Sequence, residues 1–217
     1  MRALIHVIDD DPDIRDSIGC LLSSIDLDFV CYANANAFLD APNTGQPGCI
    51  LMDLRMPDMS GLELQRLCAT RPQHKPVIFL TGHADVDASV CAMQQGAIEF
   101  LTKPVNDELL LQKVREAVAL NREQQVEANR HASIIARIVL LSPRERDVLN
   151  GIFDGCSNKR IAQRLGISPK TVELHRANVM RKMHADSLAS LVRMCMEVRD
   201  AFDFDAGDRL DEQAKAS

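Results

Sequence analysis

Five short apolar runs, separated by segments of helical spacing, occupy the first 120 residues and leave few folds open to them. The runs span residues 4–8, 29–32, 49–52, 77–80 and 98–101. Between them, Ile14, Ile18, Leu21 and Leu22 mark a helix over 13–24, a weak helix covers 35–39, and Leu62, Leu64 and Leu67 mark one over 61–69. A fourth helix is predicted over 85–95, closed by Gly96, and Asn106 caps a fifth. Short, nearly continuous apolar runs suit strands buried on both faces, and regular strand–helix alternation joins such strands in parallel. The expected architecture is α/β, a five-stranded parallel sheet with helices on both sides.

The pattern changes after residue 120. No stop signal ends the fifth helix, and residues 121–137 lack Gly and Pro, so this stretch is read as a helical linker. From Leu141 only short helices are signalled. Ser142, Pro143 and Glu145 form a capping box with proline at the first helical position, and Gly155 closes that helix. Ser157 caps the next helix, which Gly166 ends. Ser168 and Pro169 open a third helix to about Met183, and Asp186 or Ser187 opens a fourth to about Val198. The domains are therefore read as 1–120, a linker over 121–137, an all-α four-helix domain over 138–198, and an acidic tail over 199–217 expected to be disordered.

Charge separates the same two regions. The whole 217-residue chain carries −6, which by itself argues weakly against a polyanion partner. Residues 1–120 hold 9 Lys/Arg against 17 Asp/Glu, a balance of −8, whereas residues 138–197 hold 10 against 6, a balance of +4. The basic region suits contact with nucleic acid; the acidic one would be repelled by it. Seven cysteines occur with no CxxC pair and no zinc spacing, so they are read as reduced, buried small hydrophobes of a cytoplasmic protein. No apolar run approaches the ~20 residues that span a membrane, and no signal peptide is read at the start.

The residues that end the strands carry the chemistry. The first run leads into Asp9 and Asp10, the third into Asp53, the fourth into Thr81, and the fifth into Thr102 and Lys103. Open parallel sheets bind ligands beyond the carboxyl ends of their strands. With the flavodoxin-like order 2-1-3-4-5, these residues converge on one pocket. Clustered carboxylates need a cation among them, and an all-oxygen set favours Mg²⁺. Asp53 can then act as nucleophile toward a phosphoryl group, with Lys103 and Thr81 as donors to its oxygens. Taken singly, an acidic triplet serves equally as a solvated loop or cap, Thr81 as a cap, and Lys103 as a surface residue. Their joint placement on successive strand ends is what points to a site.

These residues sit in segments that resemble a CheY-like receiver domain over the full 1–120 stretch. The matching pieces run over 8–11, 52–61, 80–83 and 102–104. The resemblance implies that Asp53 is the phosphorylated aspartate. It further implies that Asp10, Asp53 and the backbone carbonyl of Arg55 ligate Mg²⁺, with Asp9 supporting the metal. Thr81 and Lys103 would contact the phosphoryl group, and Phe100 would be the rotating aromatic switch. A core phenylalanine on a buried strand would look the same. Gly82 leaves access to Asp53, while Arg55 and His83 flank the entry path and are expected to tune phosphoryl lifetime. The Lys103–Pro104 bond is a candidate cis peptide.

In the C-terminal region, Ala162 suits a close helix crossing, Gly166 a tight turn, and Ile161, Leu165, Ile167 and Val172 an inward face. The helix opened by Ser168 would enter the major groove, leaving Lys170, Glu173, Leu174 and Ala177 toward base edges. Glu173 can accept from a cytosine amino group, and Leu174 or Ala177 can touch a thymine methyl. Lys159, Arg160, Asn178, Arg181 and Lys182 lie where phosphates would pass, and Thr171 and Arg176 complete the candidate contacts. A small helical bundle with a solvated basic face would share most of this pattern. The segments 141–146, 158–162 and 168–179 resemble the LuxR-type domain, and the whole chain resembles a FixJ-type or NarL-type two-component response regulator. His175 suits that pattern and is read as packed or touching phosphate.

The resemblance implies a sensor histidine kinase as phosphodonor, dimerisation through residues 85–118, and a roughly palindromic double-stranded DNA operator. It implies no enzyme beyond self-directed phosphoryl transfer and dephosphorylation. A haloacid-dehalogenase-like phosphatase would want a carboxylate two residues after the nucleophile, where Arg55 stands. A degenerate, phosphate-independent receiver is disfavoured by the intact carboxylates, Thr81 and Lys103.

Overall fold

A computed structural model describes residues 2–42, 44–71, 74–82 and 86–199. The chain divides into two units, the first ending at Val126 and the second starting at Glu127. His83 and the tail from residue 200 onward, on which expectations were placed above, lie outside the described residues.

In the first unit, strands β1 (Leu4–Ile8), β2 (Asp28–Tyr32), β3 (Gly48–Asp53), β4 (Val77–Thr81) and β5 (Glu99–Thr102) form one sheet in the order β2-β1-β3-β4-β5. Every pairing is parallel. The helices are α1 (Pro12–Ser23), α2 (Ala35–Leu39), α3 (Gly61–Ala69), α4 (Val86–Gln94) and α5 (Asp107–Val139). Burial follows position in the sheet. Every residue of the inner strands β3 and β4 is buried, whereas the edge strands β2 and β5 are mostly half-exposed. Alternation divides the side chains between two cores. Ile5, Val7, Leu51, Ile78 and Leu80 pack with Ile18 and Leu22 of α1 and Leu110, Val114 and Ala117 of α5. Ile8, Ile50, Met52 and Phe79 pack with Ala35, Phe38, Leu64 and Ala92.

Local chemistry sets the helix starts. Asp11 caps α1 by accepting from the Asp13 N–H at 2.9 Å, with Pro12 at the first position. Ser60 and Glu63 form a complete capping box on α3. The cysteine expectation needs correction. Cys49, Cys68 and Cys195 are buried, but Cys20 and Cys31 are exposed, because one lies on the outer side of α1 and the other on an edge strand.

The second unit packs α6 (Pro143–Phe153), α7 (Asn158–Leu165), α8 (Pro169–Met183) and α9 (Leu188–Glu197) around one core. Ile134, in the stretch read as linker, and Ile138, the first residue of the region read as the all-α domain, belong to that core at 3% and 0% exposure. They are spaced one helical turn apart, so α5 presents both to the same side. The α7–α8 turn is made by Gly166 in the left-handed region at φ 66, followed by Ser168 as cap and Pro169. Ile161, Ala162 and Val172 are buried, with Leu165 and Ile167 packed against them. Among the described residues no helix is long and apolar enough to cross a membrane.

Candidate functional site

Strand register brings the expected residues of the first unit to one end of the sheet. Ile8 pairs with Met52, Asp53 with Leu80, and Thr81 with Thr102. Asp9, Asp53 and Thr81 are therefore neighbours at the carboxyl ends, and they are only 2%, 7% and 1% exposed. Lys103 Nζ lies 2.5 Å from Asp9 Oδ2 and 2.9 Å from Asp53 Oδ1. Its own N–H donates to the Thr81 carbonyl at 2.7 Å, which ties the lysine to the end of β4. The Lys103–Pro104 peptide bond is cis.

The two carboxylates are further held by backbone. Asp53 Oδ2 accepts the Arg55 N–H at 2.8 Å, and Asp9 Oδ1 accepts the Asp11 N–H at 3.0 Å. Arg15 Nη1 donates to the Asp9 carbonyl at 2.7 Å, a contact that local sequence spacing does not signal. Burial pushes the Asp9 carboxyl up, and the Lys103 hydrogen bond only partly offsets this. Burial alone would lower Lys103, but the bonds and charges of Asp53 and Asp9 hold it above its ordinary value. The lysine is thus the fixed cation of the pocket.

Asp10, the remaining acidic residue of the expected set, is exposed, and among the described residues no group of three His, Cys, Asp or Glu side chains is gathered. Arg55 is exposed, with its N–H engaged as described. Phe100 is half-buried, its ring centroid 6.1 Å from that of Phe79 at a 42° tilt. Among the described residues, a Cβ at Gly82 would meet nothing within 4 Å. Asp58, in the loop after β3, adopts φ 71, which a short polar side chain tolerates.

In the second unit, α8 follows the glycine turn and exposes Lys170, Glu173, Leu174, Ala177 and Arg181. Leu174 is 62% exposed. Lys159 and Arg160, at the start of α7, are also exposed. Thr171, His175, Arg176, Asn178 and Lys182 are half-buried. Thr171 is engaged at the helix start, its hydroxyl 2.8 Å from Ser168 Oγ. Asn178 Oδ1 accepts from Arg181 at 3.1 Å, and His175 Nδ1 is buried with no hydrogen-bond partner. Lys182, expected where phosphates would pass, is engaged within the unit. Its ammonium is turned inward onto Glu145, whose carboxylate is 6% exposed, at 2.6 Å. No local pattern could have signalled a partner 37 residues away.

Comparison with known proteins agrees with this geometry. Residues 5–115 match the model for the response regulator receiver domain, and residues 139–195 match that for bacterial regulatory proteins of the luxR family. The transcriptional regulatory protein FixJ of Azorhizobium caulinodans is 46% identical over 88% of this chain and 91% of its own. The response regulator protein TodT of Pseudomonas putida is 37% identical over 93% of this chain and 88% of its own. Among solved structures, the response regulator StyR matches with a TM-score of 0.80 at 36% identity, covering 91% of this chain and all of that one. Full-length FixJ from B. japonicum matches at 0.55 and 42%, covering 91% of this chain and 97% of that one. The chain belongs to the two-component response regulators that join a receiver domain to a LuxR-type helix-turn-helix domain, and it acts in transcription regulation.

Proposed function

We propose that Asp53 is the phosphoacceptor, that a sensor histidine kinase is its donor, and that phosphorylation governs DNA binding by α8. One observation carries the first part: a lysine ammonium fixed between two buried carboxylates at the open end of a parallel sheet. In the transfer, an Asp53 oxygen bonds to phosphorus as the P–N bond of the donor phosphohistidine breaks. The leaving nitrogen keeps the electron pair and takes a proton from solvent. Lys103 moves its hydrogen bonds from carboxylate to the new phosphoryl oxygens, and the Thr81 hydroxyl serves as a second donor. The hydroxyl's approach clears space beside Phe100, which turns inward.

The donor chemistry fits Mg²⁺. Asp9 and Asp53 supply hard oxygens, burial of Asp9 favours a cation beside it, and Asp10 and the Arg55 carbonyl adjoin them in sequence. When bound, Mg²⁺ neutralises charge on the transferring group. The chain does no chemistry on other substrates; it transfers phosphate to itself and sheds it by hydrolysis.

Phosphorylation promotes a homodimer through the surface of α4, β5 and α5 within residues 85–118, and two copies of α8 then meet two half-sites of a roughly palindromic operator. Lys170, Glu173, Leu174 and Ala177 face bases; Lys159, Arg160, Asn178 and Arg181 carry phosphate contacts, with Thr171 and Arg176 alongside. Such a regulator meets its DNA in the cytoplasm. The test is labelling by acetyl phosphate. Wild type is expected to take up label rapidly and Asp53→Ala none; equal labelling of the two would end the reading.

A further inference from the structure

The C-terminal turn of α8 is held by charged groups that could otherwise have served DNA. Lys182 Nζ donates to Glu145 Oε2 at 2.6 Å and to the Leu140 carbonyl at 3.3 Å. The same Glu145 oxygen accepts the Ser142 N–H at 2.8 Å, so the pair closes onto the capping box of α6. Arg137 Nη1 donates to the Met183 carbonyl at 3.1 Å. The last turn of α8 is thus tied to the end of α5 and to the first turn of α6. Glu145 is 5% exposed, and the Lys182 hydrogen bond keeps its carboxyl below the ordinary range. A buried carboxylate that loses its cation is costly, which makes this tie selective for one placement of the helix.

We propose that Lys182 is a positioning residue: paired with Glu145, it sets how α8 is presented to the major groove and does not itself contact phosphate. This rests on the DNA-binding reading of the second unit. The two roles differ in what they do to binding. A lost phosphate contact weakens all sequences alike and flattens the salt dependence. A misplaced reading helix loses discrimination between sequences while the number of phosphates neutralised stays the same.

The experiment uses the full chain with acetyl phosphate and a labelled pool of random-sequence duplexes, over a series of salt concentrations. Binding and enrichment of selected sequences are measured for wild type, K182A, K182R, E145Q, R181A and K182A/E145Q, at a temperature where circular dichroism shows each folded. R181A, the phosphate control, is expected to flatten the slope of log K against log salt by about 0.9 for each copy bound. K182A and E145Q are each expected to lower enrichment by about tenfold with the slope unchanged. The double variant should be no worse than the weaker single one, because both remove the same tie. K182R should restore enrichment by keeping the pair, and it and E145Q decide the matter if K182A does not fold. A slope for K182A as flat as that of R181A, or an E145Q protein with full enrichment, would overturn the proposal. A wild-type chain that retains no duplex at any salt overturns the DNA-binding reading and this inference with it.

Discussion

At Gly61 an added Cβ would lie 2.4 Å from the Asp53 carbonyl oxygen and 2.8 Å from the Phe79 ring. The nearest atom is backbone, so the neighbour cannot yield by changing rotamer. Gly61→Ala is therefore expected to cost about 1–3 kcal/mol by overpacking and to displace Asp53. Urea unfolding would show the first effect and slowed acetyl phosphate labelling the second. His6 makes a different residue-scale prediction. It is 6% exposed, with Nε2 unpartnered and Nδ1 3.2 Å from the Tyr32 hydroxyl. Burial, helped by the nearby Lys75 charge, lowers its pKa from 6.5 to about 4. The unfolded chain takes up this proton as pH falls below 6.5, and the folded chain does so only near 4. Stability should fall through that window by roughly 3 kcal/mol and level off below it. His6→Gln should remove this contribution, read as a shallower acid limb in urea unfolding; identical limbs would refute it. The convergence of Asp9, Asp53 and Lys103 was legible because each follows an apolar run, and register in a parallel sheet does the rest. The inward turn of Lys182 was not, since its partner Glu145 lies 37 residues away.

Helix ends were the most legible elements, because a cap is a local arrangement of three or four residues. Ser60 with Glu63 and Ser142 with Glu145 make complete capping boxes, and Ser157, Ser168 and Ser187 cap the following helices. Ser142→Ala should cost about 1 kcal/mol, visible as a lower urea midpoint for the second unit. Glu145 adds a pH dependence at this element. Its depressed pKa gives stability that is present above the ordinary 4.5 and lost as pH falls through the folded value. E145Q should abolish that acid loss. Gly166→Ala should be destabilising by about 1–2 kcal/mol, since φ is 66 there and the turn sets α8 against α7. Helix α5 was less legible. Its stop was rightly missing at residue 120, yet the packing of Ile134 into the second core was hidden by weak periodicity among Glu, Gln and Arg. Edge strand β2 likewise carries an exposed cysteine that composition alone placed inside.

At the scale of the whole molecule, charge separates the tasks. Residues 1–120 balance at −8 and residues 138–197 at +4, although the chain totals −6. Affinity for DNA must then come from a few exposed cations of the second unit, such as Lys159, Arg160, Lys170 and Arg181. Each phosphate contact should contribute about 0.9 to the slope of log K against log salt. Phosphorylation adds about −1.5 to −2 charge to the already acidic unit, so simple electrostatics would weaken binding. Tighter binding on phosphorylation therefore requires a change in assembly or in the access of α8 to DNA, not in net charge. If two copies bind together, the slope with acetyl phosphate should be about twice that without it, because the number of phosphates neutralised doubles. Asp53→Ala should keep the shallow slope under both conditions. A wild-type slope that stays constant while affinity rises would argue for a monomer released to bind, and against the dimer.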